Sequence, residues 1–134
     1  MNLKVLLVDD DDVFIFLHNR FLTKNGVSTK PLSFENGKEA LDYLNSERNS
    51  NQRYLIFLDI HMPVMNGWQF LDSIQHTTYE KNVLIAIVTS SINSEAHSKA
   101  KQYSQVMGYF EKPLTEKSLK QITQLSRIST YLNS

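Results

Sequence analysis

Leu55-Ile56-Phe57-Leu58-Asp59-Ile60-His61-Met62-Pro63-Val64-Met65-Asn66-Gly67 is the stretch that decides the fold. Its first four residues are apolar without interruption, the pattern of a strand buried on both faces. The run ends on one carboxylate, Asp59, and passes into a loop punctuated by Pro63 and Gly67. The carboxyl ends of parallel strands are where open α/β sheets bind ligands, so an acid placed there is a candidate site residue. The arrangement recurs near the start of the chain, where Val5-Leu6-Leu7-Val8 runs into Asp9-Asp10-Asp11-Asp12. Two acid-bearing strand ends side by side would offer oxygen ligands to a hard divalent cation.

Outward from these runs, strand-like and helix-like segments alternate. Leu3–Val8 is expected as the first strand. Val13, Phe14, Leu17, Phe21 and Leu22 then recur at helical spacing, and Gly26 stops that helix. Val27–Ser33 reads as a weaker strand, with Pro31 placing it at a sheet edge. Glu39, Ala40, Tyr43 and Leu44 belong to a second helix that starts near Gly37. Leu55–Leu58 is the third strand, and Trp68, Leu71 and Ile74 mark the third helix. Val83–Val88 is a fourth strand, apolar throughout and therefore central, followed by a rather polar helix over Ser94–Tyr103. Met107–Phe110 is the fifth strand. Thr115 to Tyr131 carries Leu119, Ile122, Leu125 and Ile128 on one stripe of a fifth helix. Five such repeats imply an α/β fold, a doubly wound parallel sheet with helices on both faces. The natural strand order is 2-1-3-4-5, which puts the ends of strands one and three together at the switch point.

Composition narrows the function classes. The 134 residues fit one compact domain over 1–134, with no output domain expected after helix five. Formal net charge is +0 and no basic run occurs, which speaks against direct nucleic-acid binding. Without cysteine there is no disulfide, thiolate nucleophile or cysteine-ligated zinc. Leu3–Val8 is too short for a signal peptide and no stretch approaches transmembrane length, so a cytoplasmic protein with no membrane insertion is expected. Four glycines form neither a GxGxxG nor a phosphate-binding loop, which removes support for a nucleotide enzyme.

Four strand ends offer polar groups to one pocket: Asp9 and Asp10, Asp59, Thr89 with Ser90 and Ser91 behind it, and Lys112 followed by Pro113. Each has a plainer reading. Asp9–Asp12 also suits a solvated helix start, a role that fits Asp11 and Asp12 best, and a one-residue shift would make the metal pair Asp10 and Asp11. Thr89 alone would be a strand-end hydroxyl bonded to backbone, and Lys112 alone a surface lysine. The four histidines, His18, His61, His76 and His97, show no zinc-like pairing.

Taken together these residues resemble the receiver domains of two-component response regulators, the CheY-like family, over almost the whole chain. The paired acids after strand one match Asp9-Asp10. The phosphoacceptor with its downstream proline and glycine matches Asp59, Pro63 and Gly67. The strand-four hydroxyl matches Thr89, Lys-Pro matches Lys112-Pro113, and the aromatic switch position matches Tyr109. The resemblance implies a flavodoxin-like (βα)5 fold in which Asp59 accepts a phosphoryl group. Mg²⁺ would be held by Asp10 and Asp59, by the His61 backbone carbonyl, and by Asp9 largely through water. Lys112 would pair with Asp59 at rest and with the phosphoryl group afterwards, Thr89 would donate to that group, and Tyr109 would turn inward. The Lys112-Pro113 bond is often cis in this family. The implied partners are a sensor histidine kinase or histidine phosphotransfer protein and a downstream protein target, with the face of helix four, strand five and helix five as readout. Such a chain is a phosphoacceptor rather than an enzyme. A phosphorelay shuttle or a phosphate-independent module of the same shape are the alternatives. An aspartate-nucleophile phosphatase would need a second Asp where His61 stands. One departure is Ser104-Gln105-Val106, where the family usually carries a Gly-Ala pair.

Overall fold

The computed structural model describes residues 3–28, 30–47, 51–90 and 92–125. Five parallel strands, β1 (Leu3–Val8), β2 (Leu32–Phe34), β3 (Arg53–Leu58), β4 (Val83–Thr89) and β5 (Val106–Glu111), lie in the order β2-β1-β3-β4-β5. They alternate with α1 (Asp12–Lys24), α2 (Gly37–Ser46), α3 (Gly67–Ile74), α4 (Ser94–Ala100) and α5 (Glu116–Thr123), the flavodoxin-like α/β arrangement expected. A 3₁₀ turn at Glu80–Asn82 leads into β4.

Strand residues alternate between two apolar layers, as a period of two requires. Leu6, Val8, Ile56, Leu58, Ile85 and Ile87 pack against Ala40, Leu44, Phe70, Leu71, Ile74 and Ala100 of α2, α3 and α4. Val5, Leu7, Leu55, Phe57, Leu84, Ala86 and Val88 face the other way, onto Leu22 of α1 and Leu119 and Ile122 of α5. Both faces of the sheet are covered, which is why β1, β3 and β4 read as unbroken apolar runs. No helix among the described residues is long and apolar enough to cross a membrane.

Four elements differ from expectation. The strand expected over Val27–Ser33 is only Leu32–Phe34. Val27 is taken by the end of α1: with Gly26 at φ +72°, Gly26 N–H donates to the Thr23 carbonyl (3.2 Å) and Val27 N–H to the Leu22 carbonyl (3.0 Å). This is a Schellman close, in which Val27 packs back onto Leu22 rather than entering the sheet. β2 pairs only with β1, the edge position that Pro31 suggested. On α1, Phe14, Phe21 and Leu22 turn inward as expected, but Val13 and Leu17 do not. His18 and Leu22 are buried, whereas Val13, Phe16 and Leu17 are 64%, 58% and 46% exposed. The helix start is capped by the Asp11 carboxylate, which accepts from Val13 N–H at 2.9 Å. Helix α4 stops at Ala100, with Lys101 as its C-cap, instead of reaching Tyr103. Helix α5 ends at Thr123 and Leu125 is exposed; Ile128 and Tyr131 lie outside the described residues.

Candidate functional site

The register of the sheet assembles the site. Val8 of β1 lies opposite Leu58 of β3, so the residues that follow, Asp9 and Asp59, leave the sheet together. Asp59 N–H donates to the Val8 carbonyl (2.9 Å) and Asp9 N–H to the Phe34 carbonyl (3.0 Å), extending the ladder to the acids themselves. On the other side Thr89 of β4 lies opposite Glu111 of β5, and Lys112 N–H donates to the Thr89 carbonyl at 2.9 Å. The strand-end residues expected to meet are thereby held by main-chain bonds. Gly67, the first residue of α3, closes the loop after Asp59 through its N–H to the Ile60 carbonyl (2.9 Å).

Lys112 is the hub. Its Nζ lies 2.7 Å from Asp9 Oδ2 and 3.2 Å from Asp59 Oδ2, and all three side chains are buried. The shorter bridge goes to Asp9, although pairing with Asp59 was the expectation. The remaining oxygens are also engaged: Asp9 Oδ1 accepts Asp11 N–H and Asp59 Oδ1 accepts Ile60 N–H. Burial alone would make Lys112 easier to deprotonate, but the hydrogen bond to Asp9 and the charge of Asp59 outweigh it and push its pKa up. Burial raises the Asp9 carboxyl, against the opposing pull of Lys112. The Lys112-Pro113 bond is cis.

Asp9, Asp10 and Asp59 each place one oxygen within 4.8 Å of the others. Asp10 is exposed, while Asp11 and Asp12 occupy the N-cap and first turn of α1, as the plainer reading of the acidic run expected. A cluster of carboxylate oxygens is the donor set that suits Mg²⁺, so the residues present fit that ion. His61 stands exposed beyond Ile60. Thr89 is fully buried, and its hydroxyl has no hydrogen-bond partner among the described residues. The backbone bond that a plain strand-end threonine would make is not formed with any described residue, which leaves this buried hydroxyl open to a partner in the site. Tyr109 is half-buried on β5, its ring stacked on His97 of α4 at 5.5 Å and 12°. Trp68 packs α3 against the end of α4, stacked on Tyr103 with the Lys99 ammonium 4.5 Å from its ring.

Two neighbours of the site do not stand out in the sequence. The Phe14 ring lies 4.4 Å from Lys112 Nζ, and the His18 ring packs against Phe14 at a tilt of 37°, with centroids 5.8 Å apart. The available signal was a polar residue one turn after Phe14 among apolar ones.

The profile of the family described as "Response regulator receiver domain" matches residues 5–124. "Two-component response regulator 24" of Arabidopsis thaliana is 33% identical over 132 residues, covering 98% of this chain and 88% of that protein. "Sporulation initiation phosphotransferase F" of Bacillus subtilis is 29% identical over 113 residues, 84% of each chain. The crystal structure of a two-component response regulator from Cytophaga hutchinsonii superposes with a TM-score of 0.76 at 28% identity, over 99% of this chain and 98% of that one. Domains of this family generally signal rather than catalyse, typically bind Mg²⁺ at an acidic pocket, and interact with histidine kinases or phosphotransfer proteins. With the match running nearly end to end and the acids and lysine gathered at one edge of a 2-1-3-4-5 sheet, the chain belongs to the response regulator receiver domain family of two-component signalling.

Proposed function

We propose that this chain is a stand-alone receiver that accepts a phosphoryl group on Asp59 from a histidine kinase or phosphotransfer protein. The supporting observation is the pairing of a buried Lys112 ammonium, shared by Asp9 and Asp59, with the buried Thr89 hydroxyl on the adjacent strand, which has no hydrogen-bond partner among the described residues. Phosphoryl transfer needs positioning and charge neutralisation more than covalent chemistry. A carboxylate oxygen of Asp59 attacks phosphorus, and the P–N bond of a phosphohistidine or the P–O bond of an acyl phosphate breaks. The bonding pair leaves with the imidazole nitrogen or the carboxylate. Lys112 and Thr89 then donate to the new phosphoryl oxygens. Asp9, Asp10, Asp59 and the His61 carbonyl would hold Mg²⁺, whose charge offsets that of the phosphoryl group.

In this reading, capture of the Thr89 hydroxyl frees space beside β4, and Tyr109 leaves its stack on His97 to fill it. The change is read by a protein partner on the face of α4, β5 and α5. A cytoplasmic location goes with a histidine-kinase donor.

Intact mass after incubation with acetyl phosphate tests this, with and without Mg²⁺, on wild type and Asp59→Asn. One added phosphoryl group that needs both Mg²⁺ and Asp59 is expected. Undiminished labelling of Asp59→Asn would refute the acceptor assignment. No labelling, together with no binding of a beryllium fluoride mimic, would favour the phosphate-independent module.

A further inference from the structure

Lys112 is held from both sides along the chain. On the amino side its N–H joins the sheet at Thr89. On the carboxyl side Pro113 brings no N–H, so the next donor is that of Leu114. That N–H is buried, and its acceptor is the imidazole of His18, Nε2 at 3.2 Å. His18 is 5% exposed, whereas His61, His76 and His97 lie at the surface. The same imidazole supports the Lys112 side chain: its ring packs against Phe14 at a tilt of 37°, centroids 5.8 Å apart, and the face of Phe14 lies 4.4 Å from the ammonium. Phe14 and His18 are one turn apart on α1, so their positions are set together.

We propose that His18 is a positioning residue for Lys112, fixing the ammonium between Asp9 and Asp59 through the Leu114 N–H on one side and the Phe14 ring on the other. The inference rests on the phosphoacceptor reading, in which that ammonium must meet a phosphoryl oxygen. The chemistry of the position is narrow. A leucine would fill the space and leave the Leu114 N–H without an acceptor in a buried turn. A lysine or arginine could not accept a hydrogen bond and would repel Lys112. A neutral imidazole has a ring to pack against Phe14 and a lone pair at Nε2, with its proton on Nδ1. In keeping with this, burial and the charge of Lys112 hold the His18 pKa down at about 4.

A double-mutant cycle on the full chain tests the proposal. The rate of phosphorylation by acetyl phosphate with Mg²⁺ is measured for wild type, His18→Leu, His18→Gln, Lys112→Ala and His18→Leu/Lys112→Ala. His18→Leu should slow the reaction about 10- to 100-fold, the cost of misplacing a group that must face the transferring atom. His18→Gln, whose amide oxygen can accept from Leu114, should recover most of the rate. In the Lys112→Ala background His18→Leu should cost nothing further, because the two act as one unit. An equal loss in both backgrounds, or no loss in wild type, overturns the proposal. Phe14→Leu supplies a second variant in both backgrounds if His18→Leu does not fold. A direct readout separates this inference from the reading beneath it. The Lys112 ammonium protons should be protected from exchange in wild type and His18→Gln, and exposed to exchange in His18→Leu. If wild type takes no phosphoryl group, the phosphoacceptor reading fails, and ammonium protection still decides whether His18 positions Lys112.

Discussion

Acid should destabilise this domain through His18, and the size of the effect can be worked out. The imidazole is almost fully buried, and burial, followed by the charge of Lys112, lowers its pKa from 6.5 to about 4 in the folded chain. Between these values the unfolded chain binds a proton that the folded chain does not, so stability rises with pH across the window. The contribution is intact above about pH 6.5 and is lost as the pH falls toward 4. At ~1.4 kcal/mol per pKa unit, the loss comes to ~2 kcal/mol at pH 5 and ~3 kcal/mol at pH 4. That is a large share of the stability of an ordinary domain.

The assay is urea unfolding at pH 7.5, 6, 5 and 4 on wild type and His18→Gln. Glutamine stays neutral throughout and keeps an acceptor for the Leu114 N–H. The carboxylates are common to both proteins, so their titrations cancel in the difference, including that of Asp9, whose raised pKa acts in the opposite direction. The two stability curves should converge, or cross, by ~3 kcal/mol from pH 7.5 to pH 4. Parallel curves over that range would refute a buried, neutral His18 and the hydrogen bond assigned to it.

Two further outcomes follow from backbone geometry. At Gly67 an added Cβ would sit 2.7 Å from the Asp59 carbonyl oxygen and 2.8 Å from Ile60 Cα, so Gly67→Ala must displace the loop that carries Asp59. A stability loss of about 1–3 kcal/mol by urea denaturation is expected, together with slowed phosphorylation; wild-type values for both would show that the loop is not tightly held. Val64 adopts φ +67° while 79% exposed, a conformation that β-branched residues disfavour and asparagine tolerates. Val64→Asn should therefore stabilise the domain by roughly 0.5–1 kcal/mol, and an unchanged or lowered urea midpoint would argue against strain at that position.

The parts of the fold legible in the sequence are those where one element carries its own signal. β3 and β4 are covered on both faces, so Leu55–Leu58 and Val83–Val88 announce themselves without any question of phase. Site residues at strand ends are legible for a related reason. Once the strand order is known, Asp9, Asp59, Thr89 and Lys112 are placed at one edge by main-chain bonds that any side chain would permit. The misread elements are those whose state is set by a partner. Val27 has the composition of a strand residue, but a glycine in the left-handed region one position earlier turns it back onto Leu22. Leu17 has the spacing of a core residue, but the inward position goes to His18, which bonds Leu114 N–H across the fold.

This displacement connects the fold to the chemistry. By hydrophobicity alone the helix would bury Leu17 and expose His18; with His18 inward instead, an acceptor comes within reach of Leu114 beside the Phe14 that faces Lys112. The phase that leaves Val13, Phe16 and Leu17 in water is thus the one that supports the lysine between two carboxylates. Local preference and tertiary arrangement normally agree, and their disagreement tends to fall near functional sites. Here it falls on the helix that begins three residues after Asp9. A polar residue occupying a core position of α1 is the trace of that conflict in the sequence, and it points to the back of the phosphoacceptor pocket rather than to its mouth.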